Sequence, residues 1–519
     1  MKSMEENTEK KKEENKDEEE VVLHLKRHLY PEEIELKKQK KELKEVKTVA
    51  KVFFVAALFI GWLGGSLIPF GFTTQLRNFI SRGLGLSDDK IEAVKEVLEN
   101  DWYFGKDIDN LDERLTNQAI EGMVDNEEDT HTLYFSKQES EDFKQSINRN
   151  YCGIGVQYID MNGTDIITKV IDDTPAENAG LQAGDIMVEA DGKQLAGLST
   201  DEIKKLIQGE EGTSVTLKIK RDGKIIAMDV ERKELVNIAS GRMLDDGIAY
   251  LQLYQFGDSS ADTMKKYIDQ FKEADAKKLI LDLRDNGGGY LSSVTSVAGL
   301  FLDKGSTVLQ REDKEGNVTV SKTTDDPYCS FDSIVILINQ NTASAAEVLT
   351  LAMDEQMNNV TLVGTKSYGK GSVQVERKFS DGSSLNYTTQ RWLSPDGTWV
   401  NGVGITPDDE VKLHDVFYHT FTKMSSDESY SVDQVSGSVS DMELCLDYLG
   451  YTVDRTDGYF SEAAGETLKQ FQSEHNLNVD GILNKETYDA LYGTVRYHWE
   501  TTTDTDTQLA EAVKVLNEK

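Results

Sequence analysis

Cysteine is scarce in this chain: 519 residues hold three, Cys152, Cys329 and Cys445, odd in number and far apart. No disulfide framework and no zinc-binding spacing follow from them. The seven histidines contain no HExxH pair, and no GxSxG elbow occurs. A zincin and a Ser–His–Asp hydrolase of the α/β type therefore lack their signatures. No glycine-rich stretch fits GxGxxG, and no metal or cofactor is implied. Positive charge is also short: a formal net charge of -36 argues against nucleic acid as a partner.

What is present is segmented. Residues 1–48 are rich in Glu and Lys with few aromatics, which cannot build a core and read as a solvated tail. Val52 to Phe72 then runs 21 residues without a charge, long enough to span a bilayer as a helix. Seven lysines between Lys37 and Lys51 precede it, whereas only Arg77 and Arg82 follow. The positive-inside rule puts the N-terminus in the cytoplasm and the rest outside, anchored in the cell membrane by one pass. The span is too long and too far from Met1 for a cleaved signal peptide. Helical spacing follows from Ser87 to Asn126, and Asp129-Thr-His-Thr-Leu-Tyr134 closes this part. His131 is a lone histidine, read as structural.

Ser333 to Ile338 is an apolar, β-branched run that reads as a buried strand, and Ala345 to Met353 suits a helix. Ser344 thus stands where a strand turns into a helix N-terminus, beside unpaired N–H groups that favour an oxyanion. The same residue type is also an ordinary N-cap. A second strand, Lys278 to Leu283, breaks at Arg284-Asp-Asn-Gly-Gly-Gly289, whose glycines suit either a phosphate-binding loop or an oxyanion-binding turn. Gly364 to Gln374 admits three readings. A P-loop fails at Gly371 and lacks a following helix. An SxxK motif over Ser367–Lys370 needs a helical turn amid glycines. In the third, Lys370 is a general base for Ser344, with Gln374 on its face of an extended segment to hold the amine. A lysine serves as such a base only if burial lowers its pKa from about 10.4.

Residues 151–235 change to short strands with an Asp222–Gly223 turn. Gly153-Ile-Gly155, Pro175-Ala176, Ala179-Gly-Leu181 and Gly184-Asp-Ile186 resemble a PDZ domain, which implies capture of free protein C-termini by the loop Gly153, Ile154, Gly155. With Asp129–Tyr134, Asp282–Gly289, Thr342–Glu347, Tyr368–Gln374 and Gly402–Asp408, the stretch 85–415 resembles the C-terminal processing (tail-specific) serine peptidases. That resemblance implies a crotonase-like core with Ser344 as nucleophile, Lys370 as general base, Gln374 as its orienting residue, and the backbone N–H groups of Gly288 and Ala345 as oxyanion hole. Thr130 and Gly287 stand where the family often has proline, and neither change removes a reacting group.

Two turns, Asp457-Gly-Tyr-Phe-Ser461 and Asp480-Gly-Ile-Leu-Asn484, each end on an N-cap before a helix. This part resembles the three-helix peptidoglycan-binding domain, which implies a wall ligand. The expected architecture is multidomain α/β. It runs as a cytoplasmic tail (1–48), transmembrane helix (49–73), helical segment (84–150), PDZ domain (151–235), serine peptidase core (236–415), linker (416–439), small helical domain (440–494) and acidic tail (495–519). The expected function is a membrane-anchored serine endopeptidase acting outside the cell on proteins with free C-termini. The rival is a catalytically silent tether of PDZ and wall-binding modules. Formation of a homo-oligomer is left open.

Overall fold

The computed structural model describes residues 90–125, 129–161 and 163–518. The tail over 1–48 and the expected span over 49–73 lie outside them. Among the described residues no helix is long and apolar enough to cross a membrane. The chain divides into two compact units, with the boundary between Ala119 and Ile120. In the first, α1 (Lys90–Asn100) and a 3-10 turn (Tyr103–Asp107) precede the start of α2 (Leu111–Val124). Lys95 pairs with Asp112 there.

The second unit opens with β1 (Leu133–Phe135) and α3 (Lys137–Asn148). A Ser136/Glu139 capping box starts α3. The strand β2 (Asn150–Gly153) leads into the PDZ module: β3 (Val156–Asp160), β4 (Asp165–Val170), α4 (Pro175–Asn178), β5 (Ile186–Ala190), β6 (Lys193–Gln194), α5 (Thr200–Ile207), β7 (Ser214–Arg221) and β8 (Lys224–Glu231). Its antiparallel sheet runs β3-β4-β5-β7-β8, so β3 is an edge strand. Alternate residues Val215, Leu217 and Ile219 of β7 point into a core with Ile154, Ile167, Ile203 and Ile207. Asp222 and Gly223 both take positive φ, as a two-residue hairpin requires. The next strand, β9 (Lys233–Val236), pairs antiparallel with β2, closing the module at its neck.

Then come β10 (Ala239–Met243), β11 (Ile248–Leu253), α6 (Ser260–Glu273), β12 (Lys278–Asp282), α7 (Leu291–Ala298), β13 (Thr307–Asp313), β14 (Val318–Lys322), β15 (Ser333–Ile338), α8 (Ala345–Asp354), β16 (Val360–Gly364), β17 (Ser372–Lys378), β18 (Ser384–Leu393) and β19 (Asp409–Glu410). One sheet runs β10-β11-β12-β15-β16-β19 and is parallel from β11 onward. Every residue of β15 is buried, the continuous apolar pattern of a strand covered on both faces. Helices α6, α7 and α8 bury Met264, Phe271, Val294, Val297 and Leu349 in the main core. A second sheet, β1-β18-β13-β14 with β17 on β18, brings the segment before β1 alongside the end of the loop at 370.

The last part holds β20 (Ser429–Tyr430), α9 (Gly437–Tyr448), α10 (Glu462–Glu474), β21 (Leu483–Asn484), α11 (Lys485–Thr501) and α12 (Thr507–Glu518). Helices α9, α10 and α11 close around Leu446, Phe460, Leu468, Phe471 and Leu491. The two turns end on caps as expected: Ser461 accepts from Ala464 N–H and Asn484 from Thr487 N–H. Two expectations need correction. Residues 416–439 are more than a linker, since Val416 and Met424 are buried in this helical core. Residues 495–519 are not a tail: α11 runs on to Thr501, and α12 buries Leu509, Ala512, Val515 and Leu516. These pack on Ile248, Ile280, Val335 and Val363 of the parallel sheet. Arg284 seals that contact, donating to Asp282 and, at 2.9 Å twice, to Asp506.

Candidate active site

Neighbouring parallel strands deliver their following loops to the same edge of a sheet. Here β12, β15 and β16 are adjacent, and the turns after them carry the glycines at 287–289, Ser344 and Lys370. Ser344 is the N-cap of α8, with φ 56° and ψ -117°. A side chain in that region costs about 1–3 kcal/mol and persists only where the surroundings enforce it. They do: Ala343 N–H donates to Asn286 O (3.0 Å), Tyr368 N–H to Thr342 O (3.0 Å) and Ser344 N–H to Glu347 Oε2 (2.8 Å). Ser344 and Glu347 pair as a capping box, of which this return bond is the firm half; the hydroxyl makes no full cap bond. Ser344 is half-buried between Ala343 and Ala345, both buried.

Glu347 is the residue that joins the two loops. Its side chain is completely buried. Oε1 accepts from Ser367 Oγ (2.6 Å) and Gly369 N–H (2.7 Å), and Oε2 accepts from Lys370 N–H (2.9 Å) as well as from Ser344 N–H. Four donors answer one buried carboxylate, the condition under which such a charge is tolerated. The backbones of Ser344 and Lys370 thereby share a single oxygen atom. Sequence inspection sees only half of this: Ser-x-x-Glu is a readable capping box, whereas the three donors from 367–370 are not local.

The Lys370 amine makes no side-chain hydrogen bond or ion pair among the described residues. Burial pushes its pKa below the ordinary lysine value, against the opposing pull of Asp129 and Glu347. His131 lies within the same field: burial and the Lys370 charge lower its pKa, and Asp129 acts the other way. Burial pushes the Asp129 carboxyl up, but hydrogen bonds from Thr132, Thr388 and the His131 N–H leave it below its usual range. Gln374 follows a register shift in the β17–β18 pairing. Its Nε2 donates to Ser372 Oγ (2.8 Å) and to Thr388 Oγ1 (2.9 Å), not to any group of Lys370. With both amide protons so used, Oε1 is the end left to accept from an amine. The expected Gln374–Lys370 hydrogen bond is not formed here.

The glycine turn lies directly on Ser344. A Cβ at Gly288 would stand 2.8 Å from Ser344 Cβ and 3.0 Å from the Ala345 nitrogen, and Gly288 has φ 102°, so no other residue fits. Ala345 begins α8 and its N–H finds no partner among the described residues. The Gly288 N–H is engaged instead, donating to Asn286 Oδ1 at 2.9 Å. Asn286 is fully buried and its Nδ2 donates to Leu253 O (2.8 Å). Sequence reasoning passed over this asparagine, whose only signal was its place inside the Arg-Asp-Asn-Gly-Gly-Gly turn.

The PDZ loop stands apart from this cluster. Gly153 ends β2, Ile154 is buried in the module's core, and Gly155 takes φ 95°, where a Cβ would meet Thr174 at 2.3 Å. The N–H groups of Ile154 and Gly155 have no partner among the described residues. Successive free N–H groups beside an open sheet edge are what a carboxylate needs.

A serine on a strained strand-to-helix turn, tied through Glu347 to a half-buried lysine, and an antiparallel module with a loop of unpartnered N–H groups fit a serine-type peptidase carrying a PDZ domain. Comparison with known proteins narrows this. Residues 247–411 match the model of peptidase family S41, 166–221 a PDZ domain model and 436–491 a peptidoglycan binding domain model. A probable CtpA-like serine protease of Staphylococcus haemolyticus is 33% identical over 433 residues, covering 82% of this chain and 86% of that protein. The carboxy-terminal processing protease CtpA of Bacillus subtilis is 31% identical, covering 83% and 90%. The chain belongs to peptidase family S41, among its CtpA-like serine-type C-terminal processing members. A solved photosystem II D1 C-terminal processing protease aligns with 62% of this chain and 92% of its own at 21% identity, with a TM-score of 0.37.

Proposed function

We propose that the chain is a membrane-anchored serine endopeptidase, facing outward, that takes hold of protein C-termini by its PDZ domain and cleaves through Ser344 and Lys370. The observation that carries this reading is the shared Glu347 carboxylate, which ties the strained Ser344 turn to the backbone of a half-buried lysine whose pKa is lowered. The neutral Lys370 amine takes the Ser344 hydroxyl proton as Oγ bonds to the scissile carbonyl carbon. The oxyanion accepts from Ala345 N–H and from Gly288 N–H, once the latter turns from Asn286. The lysine ammonium then gives its proton to the leaving amine as the C–N bond breaks, which leaves an ester on Ser344. Water, giving a proton to the same amine, bonds to the ester carbonyl carbon; the C–Oγ bond then breaks, the ammonium returns the proton to Ser344 Oγ, and the acid leaves. Gln374 Oε1, unpaired with the amine in this structure, would hold it in position through these transfers once the Lys370 side chain reaches it. The anchor rests on the uncharged run at 52–72 and the lysines before it, and the wall ligand on the C-terminal module.

The test is cleavage of one model protein with a free or an amidated C-terminus, by wild type, Ser344→Ala and Lys370→Ala, with fluorophosphonate labelling of the intact chain. Loss of labelling and cleavage in Ser344→Ala, and preference for the free terminus, are expected. Cleavage surviving in Ser344→Ala would remove the nucleophile from this account, and equal cleavage of both substrates would remove tail recognition.

A further inference from the structure

We propose that the C-terminal module completes the peptide-binding groove of the PDZ domain: the end of α11 and the residues after it, Trp499–Thr503, form a wall that reads the penultimate residue of the substrate's C-terminus. The inference rests on the reading of the PDZ domain as the tail receptor. A cavity of about 1170 Å³ is lined by the Gly153–Gly155 loop, by Val156–Tyr158 of β3, by Lys204 and Ile207 of α5 and, from outside the module, by Trp499–Thr503 together with residues of α3, β10 and β11. An extended peptide with its carboxylate on the Ile154 and Gly155 N–H groups would add to the free edge of β3.

Alternation then decides which side chains go where. Val156 and Tyr158 pack on the module's core, on the side of Ile203 and Ile207 of α5. Gln157 and Ile159 therefore point the other way, yet Ile159 is only 1% exposed and is not part of that core. Helix α11 packs on β3 and β4. Glu500 Oε2 accepts from Thr168 Oγ1 of β4 at 2.5 Å, while the preceding Ile167 points into the core. The approach is built in: a Cβ at Gly493, in the middle of α11, would stand 3.0 Å from the Met161 backbone. Glycine inside a helix is unfavourable by about 1 kcal/mol against alanine and is retained for such an approach. A bound peptide strand alternates like its neighbour. Its last residue faces the α5 side beside the loop, and its penultimate residue faces α11, where an isolated module of this kind would offer water.

Fluorescein-labelled peptides of one sequence, ending in alanine with Asp, Lys or Val before it, would be titrated by anisotropy into the full chain carrying Ser344→Ala. Thr503 is exposed and its side chain makes no hydrogen bond among the described residues, so Thr503→Lys leaves the fold untouched. It is expected to shift the ratio of Asp to Lys affinity by about fivefold towards Asp, the size of an exposed charge pair. A benzophenone at the penultimate position is expected to label 499–503 in the parent chain. The proposal is overturned if free-acid peptides bind, amidated ones do not, and neither the ranking nor the labelled segment involves α11. If acid and amide bind alike, the reading of the PDZ domain falls first, and this one with it.

Discussion

Replacing Glu347 by glutamine tests the geometry at its joint. The carboxylate takes four hydrogen bonds, two on each oxygen, and is fully buried. An amide keeps one acceptor oxygen and turns an N–H₂ towards donors, so two of the four lose their acceptor. Hydrogen bonds to a charged group contribute about 1.5–3 kcal/mol each. The loss of two is therefore about 3 kcal/mol or more, and it falls on the backbone that holds Ser344 and Lys370. Read through the barrier, this is on the order of a hundredfold in kcat. KM should move little, because the PDZ loop shares no contact with Glu347. The assay is steady-state cleavage of a fluorogenic peptide together with the rate of fluorophosphonate labelling, on protein shown to be folded by thermal unfolding. Glu347→Asp keeps the charge but shortens its reach, and should fall between the two. A folded Glu347→Gln with kcat within about threefold of wild type would refute the clamp.

Three further outcomes are expected. Activity should climb with pH as the Lys370 amine loses its proton and should level off below the ordinary lysine value of 10.5, since burial lowers its pKa; a rise continuing past that value in kcat/KM profiles would refute the assignment. Gly288→Ala sets a Cβ 2.8 Å from Ser344 Cβ at φ 102° and should lower kcat by about a hundredfold, with a loss of about 1–3 kcal/mol in urea unfolding from backbone strain. Asp506→Ala leaves the buried Arg284 with Asp282 as its one carboxylate, beside the Gln508 amide oxygen, and should destabilise the chain by about 3 kcal/mol in the same measurement, an effect no solvated tail residue would have.

The site was legible where its signals are local. A β-branched run followed by small residues places Ser344 on a strand-to-helix turn, and the glycines of 287–289 announce a close approach. The alternation after Gly371 correctly favoured a strand over a P-loop helix. What escaped is non-local. Ser367, Gly369 and Lys370 meet Glu347 only because β15 and β16 lie side by side, a fact of sheet order. Helix α12 escaped for a different reason: Leu509, Ala512 and Leu516 do recur at helical spacing, but Asp504, Asp506 and Glu511 around them gave the segment the composition of a tail. The buried partner of Asp506, Arg284, stands more than 200 positions away in the chain. Gln374 was placed on the correct strand, yet its amide protons go to hydroxyls that sequence spacing does not rank.

The packing of α12 also has a consequence for when the enzyme comes into being. The rear of the catalytic sheet exposes Ile248, Ile280, Val335, Leu337 and Val363 until residues 507–518 arrive to cover them, and these follow every other described element in order of synthesis. A nascent chain can thus pair the strands of its PDZ module early, while the parallel sheet whose loops carry Ser344 and Lys370 waits uncovered for α12. The covered sheet therefore comes later in folding than the PDZ module's own strands.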